Sequence, residues 1–282
     1  MRAARLGAGL VVVAVVISAC TSTPGPPAGP AGSAGPAPTP LYTTYVALGD
    51  SFTSGPLIPT TDLAGGCARS DHNYPTFVAR ELGTEDFTDV SCSGAKTRNL
   101  TRPQHPYPDS TIPPQLDAVT AETDLVTLGI GGNDLNLFGT LIRTRRLAAN
   151  GPDLGAATRT ISNRVTSALR EIRRRAPEAT VVLVGYLRLV PDRATCDRLP
   201  LAPGDYAQGR RISLALDRAL ERAARRTNAA FADAYAASAG HDICADRPWV
   251  NGRATNRRRA LAYHPFAAGM RAVTREVVAA VR

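Results

Sequence analysis

The 282-residue sequence is poor in aromatic side chains, which make up 5% of it, with one tryptophan and two methionines. That leaves few platforms on which bases could stack, and no nucleic-acid reader motif is present, so nucleic acid is not an expected partner. The cysteines and histidines never fall into Cys-x-x-Cys or His-x-x-x-His spacing, which removes the usual signatures of a metal centre. No Gly-x-Ser-x-Gly elbow occurs, which disfavours one common hydrolase architecture. The glycines at 129, 131 and 132 do not complete a Gly-x-Gly-x-x-Gly loop, because Asp134 stands where the third glycine belongs. No dinucleotide cofactor is implied, and none of any other kind. There is no repeat, and no second linker follows Leu41.

The one long apolar run, 6–19, is short for a membrane span and follows the charged start Met1-Arg2-Ala3-Ala4-Arg5. This is the pattern of a secretory signal over 1–19. Its end, Ile17-Ser18-Ala19-Cys20, resembles a bacterial lipobox, in which the cysteine becomes the lipidated first residue and ties the chain to a membrane. Ordinary cleavage after Ala19, leaving a free Cys20, is the plainer alternative. Residues 21–40 are almost entirely Pro, Gly, Ala, Ser and Thr and read as an extended spacer without a core. The remaining 41–282, about 240 residues, suffice for one α/β domain. The other cysteines, Cys67, Cys92, Cys196 and Cys244, belong to an exported, oxidising setting, where four cysteines allow three pairings. The net charge of +9 falls by two when Arg2 and Arg5 leave. Arginine clusters near 143–146, 173–175, 222–226 and 257–259 read as solvated faces, or as attraction to anionic lipid and envelope polymers.

Along the domain, apolar runs alternate with helical periodicity. Strands are expected at 45–48, 87–92, 125–130, 180–185 and 229–232. Helices are expected at 76–82, 117–123, 135–148, 154–175, 205–228 and 265–281. A Pro-rich loop lies between the second strand and the 117–123 helix. Alternation of this kind implies right-handed crossovers and a parallel sheet of about five strands covered on both faces, a three-layer α/β/α domain.

The first strand ends in Gly49-Asp50-Ser51. By itself this is a turn with Asp and Ser bonded to nearby amides. It also offers a hydroxyl at the carboxyl end of a strand, where open α/β sheets bind ligands. Three further blocks follow in order: Ser91-Cys92-Ser93-Gly94-Ala95, Gly131-Gly132-Asn133-Asp134 and His264-Pro265. Together they resemble the SGNH (GDSL-type) esterase and lipase family. The words Gly66-Cys67-Ala68-Arg69-Ser70, Asn73-Tyr74-Pro75 and Gln115-Leu116 resemble its secreted actinobacterial branch. The resemblance runs from about Thr44 to the C-terminus.

It implies a flavodoxin-like sheet in the order 2-1-3-4-5 and disulfides Cys67–Cys92 and Cys196–Cys244. It further implies hydrolysis of acyl esters with Ser51 as nucleophile and His264 as base, with an oxyanion hole built from the Ser51 and Gly94 N–H groups and the Asn133 side chain. The other histidines, His72, His105 and His241, read as surface or loop residues. Family members act on acylglycerols, phospholipids, acetylated glycans and small esters, so the substrate is expected to be a lipid or small ester, and the protein a monomer.

Two departures stand out. Phe52 replaces the Leu of the GDSL name, at little cost. Leu261 stands where many members have the Asp that orients the histidine. The expectation is therefore a Ser-His dyad in which the main-chain oxygen of Leu261 holds the ring, with Asp233 or Asp246 as the carboxylate alternative. The rival readings are an envelope-polysaccharide deacetylase or acyltransferase, and a degenerate, non-catalytic binding lipoprotein.

Overall fold

A computed structural model describes residues 41–107, 109–143, 153–193 and 195–282. The expected signal segment, Cys20 and the spacer lie outside the described residues. Five parallel strands form the sheet: β1 (Thr44–Gly49), β2 (Asp86–Asp89), β3 (Leu125–Gly129), β4 (Thr180–Val184) and β5 (Ala230–Ala232). Their order is 2-1-3-4-5, as the resemblance implied. The register sets Tyr45 opposite Phe87 on one side and Leu125 on the other, and Gly49 opposite Gly129. The ends of β1 and β3 therefore open side by side at the switch point of the sheet.

Every residue of β3 is buried, and β1 and β4 are buried from their second residues onward, as strands covered on both faces must be. β2 alternates between exposed and half-buried and lies at the edge. It is shorter than the sequence suggests. The Val90 and Cys92 N–H groups still donate to the Ala47 and Gly49 carbonyls, so the ladder continues on one side only.

Helices α4 (Leu154–Arg175) and α5 (Tyr206–Thr227) pack on each other and cover one face. α4 buries Ile161, Val165, Leu169 and Ile172, the i, i+4, i+8, i+11 stripe of an amphipathic helix. The other face carries α2 (Tyr74–Leu82) and α7 (Ala267–Val281). Asn73 caps α2 by accepting the Thr76 N–H at 3.0 Å, and Gly83 ends it in the left-handed region at φ 68°, a residue's usual route out of a helix.

Two expected helices change form. The 117–123 segment is a 3-10 turn, Gln115–Ala118, after which Val119 returns to extended backbone. There the Thr123 hydroxyl accepts the Thr120 N–H, a local bond that competes with helix. The 135–148 helix begins late. Leu135 and Asn136 both have φ 55°, so a 3-10 turn precedes α3 (Leu137–Arg143), and the remainder lies outside the described residues. Both disulfides form as the resemblance implied, Cys67–Cys92 and Cys196–Cys244. Among the described residues no helix is long and apolar enough to cross a membrane.

Candidate active site

Ser51 is the first residue of a single helical turn, α1 (Ser51–Ser54), at the end of β1. Asp50 caps that turn by accepting the Phe52 N–H at 2.9 Å. The tight exit needs small neighbours. A Cβ on Gly49 would come within 2.1 Å of the Thr53 hydroxyl and 2.7 Å of the Gly129 carbonyl. Gln115 fixes the same spot from outside the sheet, accepting the Gly49 N–H at 2.8 Å and donating to its carbonyl at 2.9 Å. Ser51 itself is 7% exposed, at the bottom of the strand ends.

Gly94 sits third in a reverse turn closed by the Ala95 N–H on the Cys92 carbonyl at 3.0 Å. Its φ of 78° is the conformation that a type II turn demands of glycine there. The Cys67–Cys92 disulfide and the Ser93 N–H on the Cys67 carbonyl, 2.9 Å, hold the turn against the loop that follows α1. Asn133 spans from β3 to this turn, with Nδ2 donating to the Ala95 carbonyl at 3.0 Å. That bond uses one of the two amide hydrogens and leaves the other to point elsewhere. Among the described residues, neither the Ser51 nor the Gly94 N–H is taken by an internal acceptor. Two backbone donors and one amide donor are thereby brought to neighbouring strand ends with hydrogens to spare.

His264 arrives on a loop tied to the same region. The Leu261 N–H donates to the Pro56 carbonyl just beyond α1, at 3.0 Å, and the His264 carbonyl accepts from the Asn251 N–H at 2.9 Å. The His264 ring lies 5.6 Å from the ring of Phe52, the neighbour of Ser51. The carbonyl that holds Nδ1 is not that of Leu261. It is that of Ala262, at 2.7 Å. The Leu261 oxygen is already occupied by the His264 main-chain N–H at 3.2 Å and by Asn251 Nδ2 at 3.2 Å. Tyr263, at φ 62°, folds the chain so that the ring reaches two residues back instead of three. Burial, opposed by the Ala262 bond, pushes the His264 pKa down to about 4.

Among the described residues no carboxylate bonds to His264. Asp233 caps the short helix α6 (Ala234–Ala237) by accepting the Ala236 N–H, and Asp246 makes no bond to His264. The remaining histidines are engaged elsewhere: His72 with Asp71, His105 with the Ser110 carbonyl, and His241 with the Arg247 carbonyl while stacked on Trp249 at 3.9 Å.

Two supports had no signal in the sequence. Tyr186, just past β4, donates to Asp50 Oδ2 at 2.5 Å and accepts the Gly132 N–H at 2.8 Å. Its ring, Phe52 and Phe138 form a cluster with centroids 4.7 to 5.3 Å apart. Desolvation raises the Asp50 carboxyl to about 7 against the pull of the Tyr186 and Phe52 bonds. Buried Asp134 accepts from Thr97 N and Oγ1 at 2.9 and 2.6 Å and pairs with Arg164 at 2.7 Å, clamping the loop after Gly94 to the end of β3. Among the described residues no cluster of His, Cys, Asp and Glu suits a metal ion.

The sequence matches the GDSL-like Lipase/Acylhydrolase family over residues 47–272. It is 39% identical over 220 residues to Lipase 2 of Streptomyces coelicolor, covering 71% of this chain and 72% of that protein. The extracellular lipase of Streptomyces rimosus superposes with a TM-score of 0.70 at 28% identity, over 84% of this chain and 99% of that one. The phospholipase A1 of Streptomyces albidoflavus superposes at 0.68 and 27%, over 85% and 99%. With four motif blocks assembled at the open ends of a five-stranded parallel sheet, the chain belongs to the GDSL/SGNH lipase and esterase family and is an ester hydrolase.

Proposed function

We propose that this chain is an exported, lipid-anchored serine esterase or lipase whose reacting pair is Ser51 and His264. The observation that carries this reading is the convergence of the Gly-Asp-Ser turn, the Gly94 turn, Asn133 and the His264 loop at one end of the sheet. In the first half-reaction Ser51 Oγ attacks the ester carbonyl carbon while His264 Nε2 takes its proton. The carbonyl oxygen becomes an oxyanion facing the Ser51 and Gly94 N–H groups and the spare hydrogen of Asn133. Collapse expels the alcohol, which leaves with the proton from His264. Water then repeats the cycle on the acyl-serine, releasing the acid and restoring Ser51.

His264 suits the base role because its depressed pKa keeps the imidazole neutral in mildly acid to neutral water. The Ala262 carbonyl replaces a triad carboxylate by fixing the proton on Nδ1, so that Nε2 is the acceptor. The seating of the four blocks against one another favours an enzyme over a binding lipoprotein. The signal-like segment and Ile17-Ser18-Ala19-Cys20 support export and anchoring through Cys20.

A fluorophosphonate probe tests the catalytic reading: it is expected to label wild type and not Ser51→Ala. Ser51→Ala is also expected to lose p-nitrophenyl ester hydrolysis by about 10⁴ or more. Activity within tenfold of wild type would exclude Ser51 as nucleophile. Cys20→Ala tests the anchor, with the protein expected to leave the membrane fraction. A native protein wholly in the medium and unmodified at Cys20 would exclude it.

A further inference from the structure

Beside the oxyanion donors lies a cavity of about 590 Å³, floored by the 3-10 turn Thr97–Leu100 and walled by α4. Lys96, Arg98, Arg102 and Arg164 line it, with Asp134 and Glu171 as its acids. The acids are already neutralised. Asp134 is paired with Arg164 at 2.7 Å and bonded by Thr97, while Glu171 holds Arg174 at 2.5 Å and Arg175 at 2.9 Å. Lys96, Arg98 and Arg102 make no ion pair among the described residues. Three uncompensated cations thus face one concavity, where low-dielectric walls concentrate their field.

The position of this charge gives it meaning. Lys96 is two residues after Gly94, hence within about 7 Å along the chain, and follows Ala95, whose carbonyl holds Asn133. Asp134 and Leu135 follow Asn133 directly and line the same cavity. Leu135, held at φ 55°, is 50% exposed there, an apolar contact at the rim of a basic pocket. An ester carbonyl seated on the oxyanion donors would extend one of its two arms into this pocket.

We infer that the cavity is an anion subsite, and that the enzyme prefers esters whose alcohol part carries a phosphate group a few bonds from the acyl carbonyl. The inference rests on the catalytic reading above for its reaction and on the cation cluster for its specificity. The arginine fork suits a phosphate oxygen pair.

The test compares dihexanoyl-phosphatidylglycerol with dihexanoylglycerol, both below their micellar concentrations, so that no interface intervenes. Wild type is expected to show at least tenfold higher kcat/KM on the phosphate ester. In Arg98→Gln/Arg102→Gln that ratio is expected to fall at least fivefold, mostly through KM, and to fall likewise with added salt. Arg80→Gln/Arg275→Gln, which removes the same charge from exposed positions on α2 and α7, is expected to leave the ratio unmoved. Inorganic phosphate is expected to inhibit competitively with the phosphate ester, and its calorimetric binding to weaken in the Arg98/Arg102 variant.

Equal turnover of the two esters, or equal effects of the two double variants, would overturn the subsite. Phosphate inhibition without any ester preference would also overturn it, by showing an anion site that does not serve the substrate. Failure of wild type to hydrolyse either ester would instead count against the catalytic reading, and phosphate calorimetry on the Arg98/Arg102 variant would then decide the subsite alone.

Discussion

The Tyr186 hydroxyl donates to Asp50 Oδ2 at 2.5 Å while accepting the Gly132 N–H at 2.8 Å. One phenol therefore couples the turn that carries Ser51 to the loop that carries Asn133, although it comes from just beyond a third strand, β4. Nothing else among the described hydrogen bonds joins Asp50 to the end of β3 through a side chain.

Tyr186→Phe removes that link and strands the Gly132 N–H. The expected loss is about 1–3 kcal/mol of stability, the cost of leaving a buried polar group unpaired. The loss is expected to grow with pH. Asp50 has a folded pKa raised to about 7, above its unfolded value, so its contribution is fully present in acid and is lost as pH rises from about 4 through 7. Without the Tyr186 donor the ionised carboxylate is less tolerated still. Thermal unfolding at pH 5 and pH 8 checks this, and a larger deficit at pH 5 would contradict it. Asp50→Asn is expected to flatten the wild-type dependence.

With His264 as the proposed base, its neutral form is expected to set the acid limb of activity. Because burial holds its pKa near 4, kcat/KM is expected to stay level through pH 5.5 and to halve near pH 4. An unperturbed histidine would halve it near 6.5. The same shift makes protonation favour the unfolded chain, so stability is expected to decline as pH falls from about 6.5 toward 4, and circular dichroism must accompany the profile. A half-point above pH 6 would show that the ring is solvated during turnover.

The orientation of that ring by a main-chain oxygen has its own test. Leu261→Ala and Ala262→Ser are expected to keep kcat within about fivefold, since neither changes a carbonyl, whereas His264→Ala loses nearly all of it. Asp246→Asn is expected to be silent, and Asp233→Asn to be nearly so in stability, since an asparagine oxygen can accept the same Ala236 N–H and caps a helix about as well. A thousandfold fall in kcat for either Asp variant, with the fold intact, would restore the carboxylate alternative.

Asn133→Ala is expected to lower kcat by about 10²–10³ with little change in KM, the effect of deleting one oxyanion donor. It also frees the Ala95 carbonyl, so Asn133→Asp, which keeps the size but not the donor, is the companion variant. If Asn133→Ala changed KM alone, the side chain would be binding ground-state substrate.

Reduction of Cys67–Cys92, which closes a 25-residue separation, is expected to cost about 3–4 kcal/mol in the chain-entropy estimate. The turn bearing Gly94 loosens with it, so activity is expected to fall at temperatures where the fold survives. Full activity after reduction, with Cys67 and Cys92 alkylated, would separate the disulfide from the site.

Composition and periodicity determined much of this protein without coordinates. The alternation of apolar runs and amphipathic stripes marked all five strands, and the 154–175 helix appears with the same limits as α4 (Leu154–Arg175), because its stripe and its cap are local. The four motif blocks named Ser51, Gly94, Asn133 and His264, since glycine turns and strand-end polar residues are written in short words. The tertiary structure alone decided which carbonyl meets His264 Nδ1. That choice depends on Tyr263 entering the left-handed region and on Asn251 occupying the Leu261 oxygen. It also supplied Tyr186 and Asp134, whose partners lie 136 and 37 positions away, and it delayed the start of the expected 135–148 helix through two positive φ angles. A long-range hydrogen bond leaves no periodic trace in a sequence, and a residue forced into the left-handed region is set by what surrounds it.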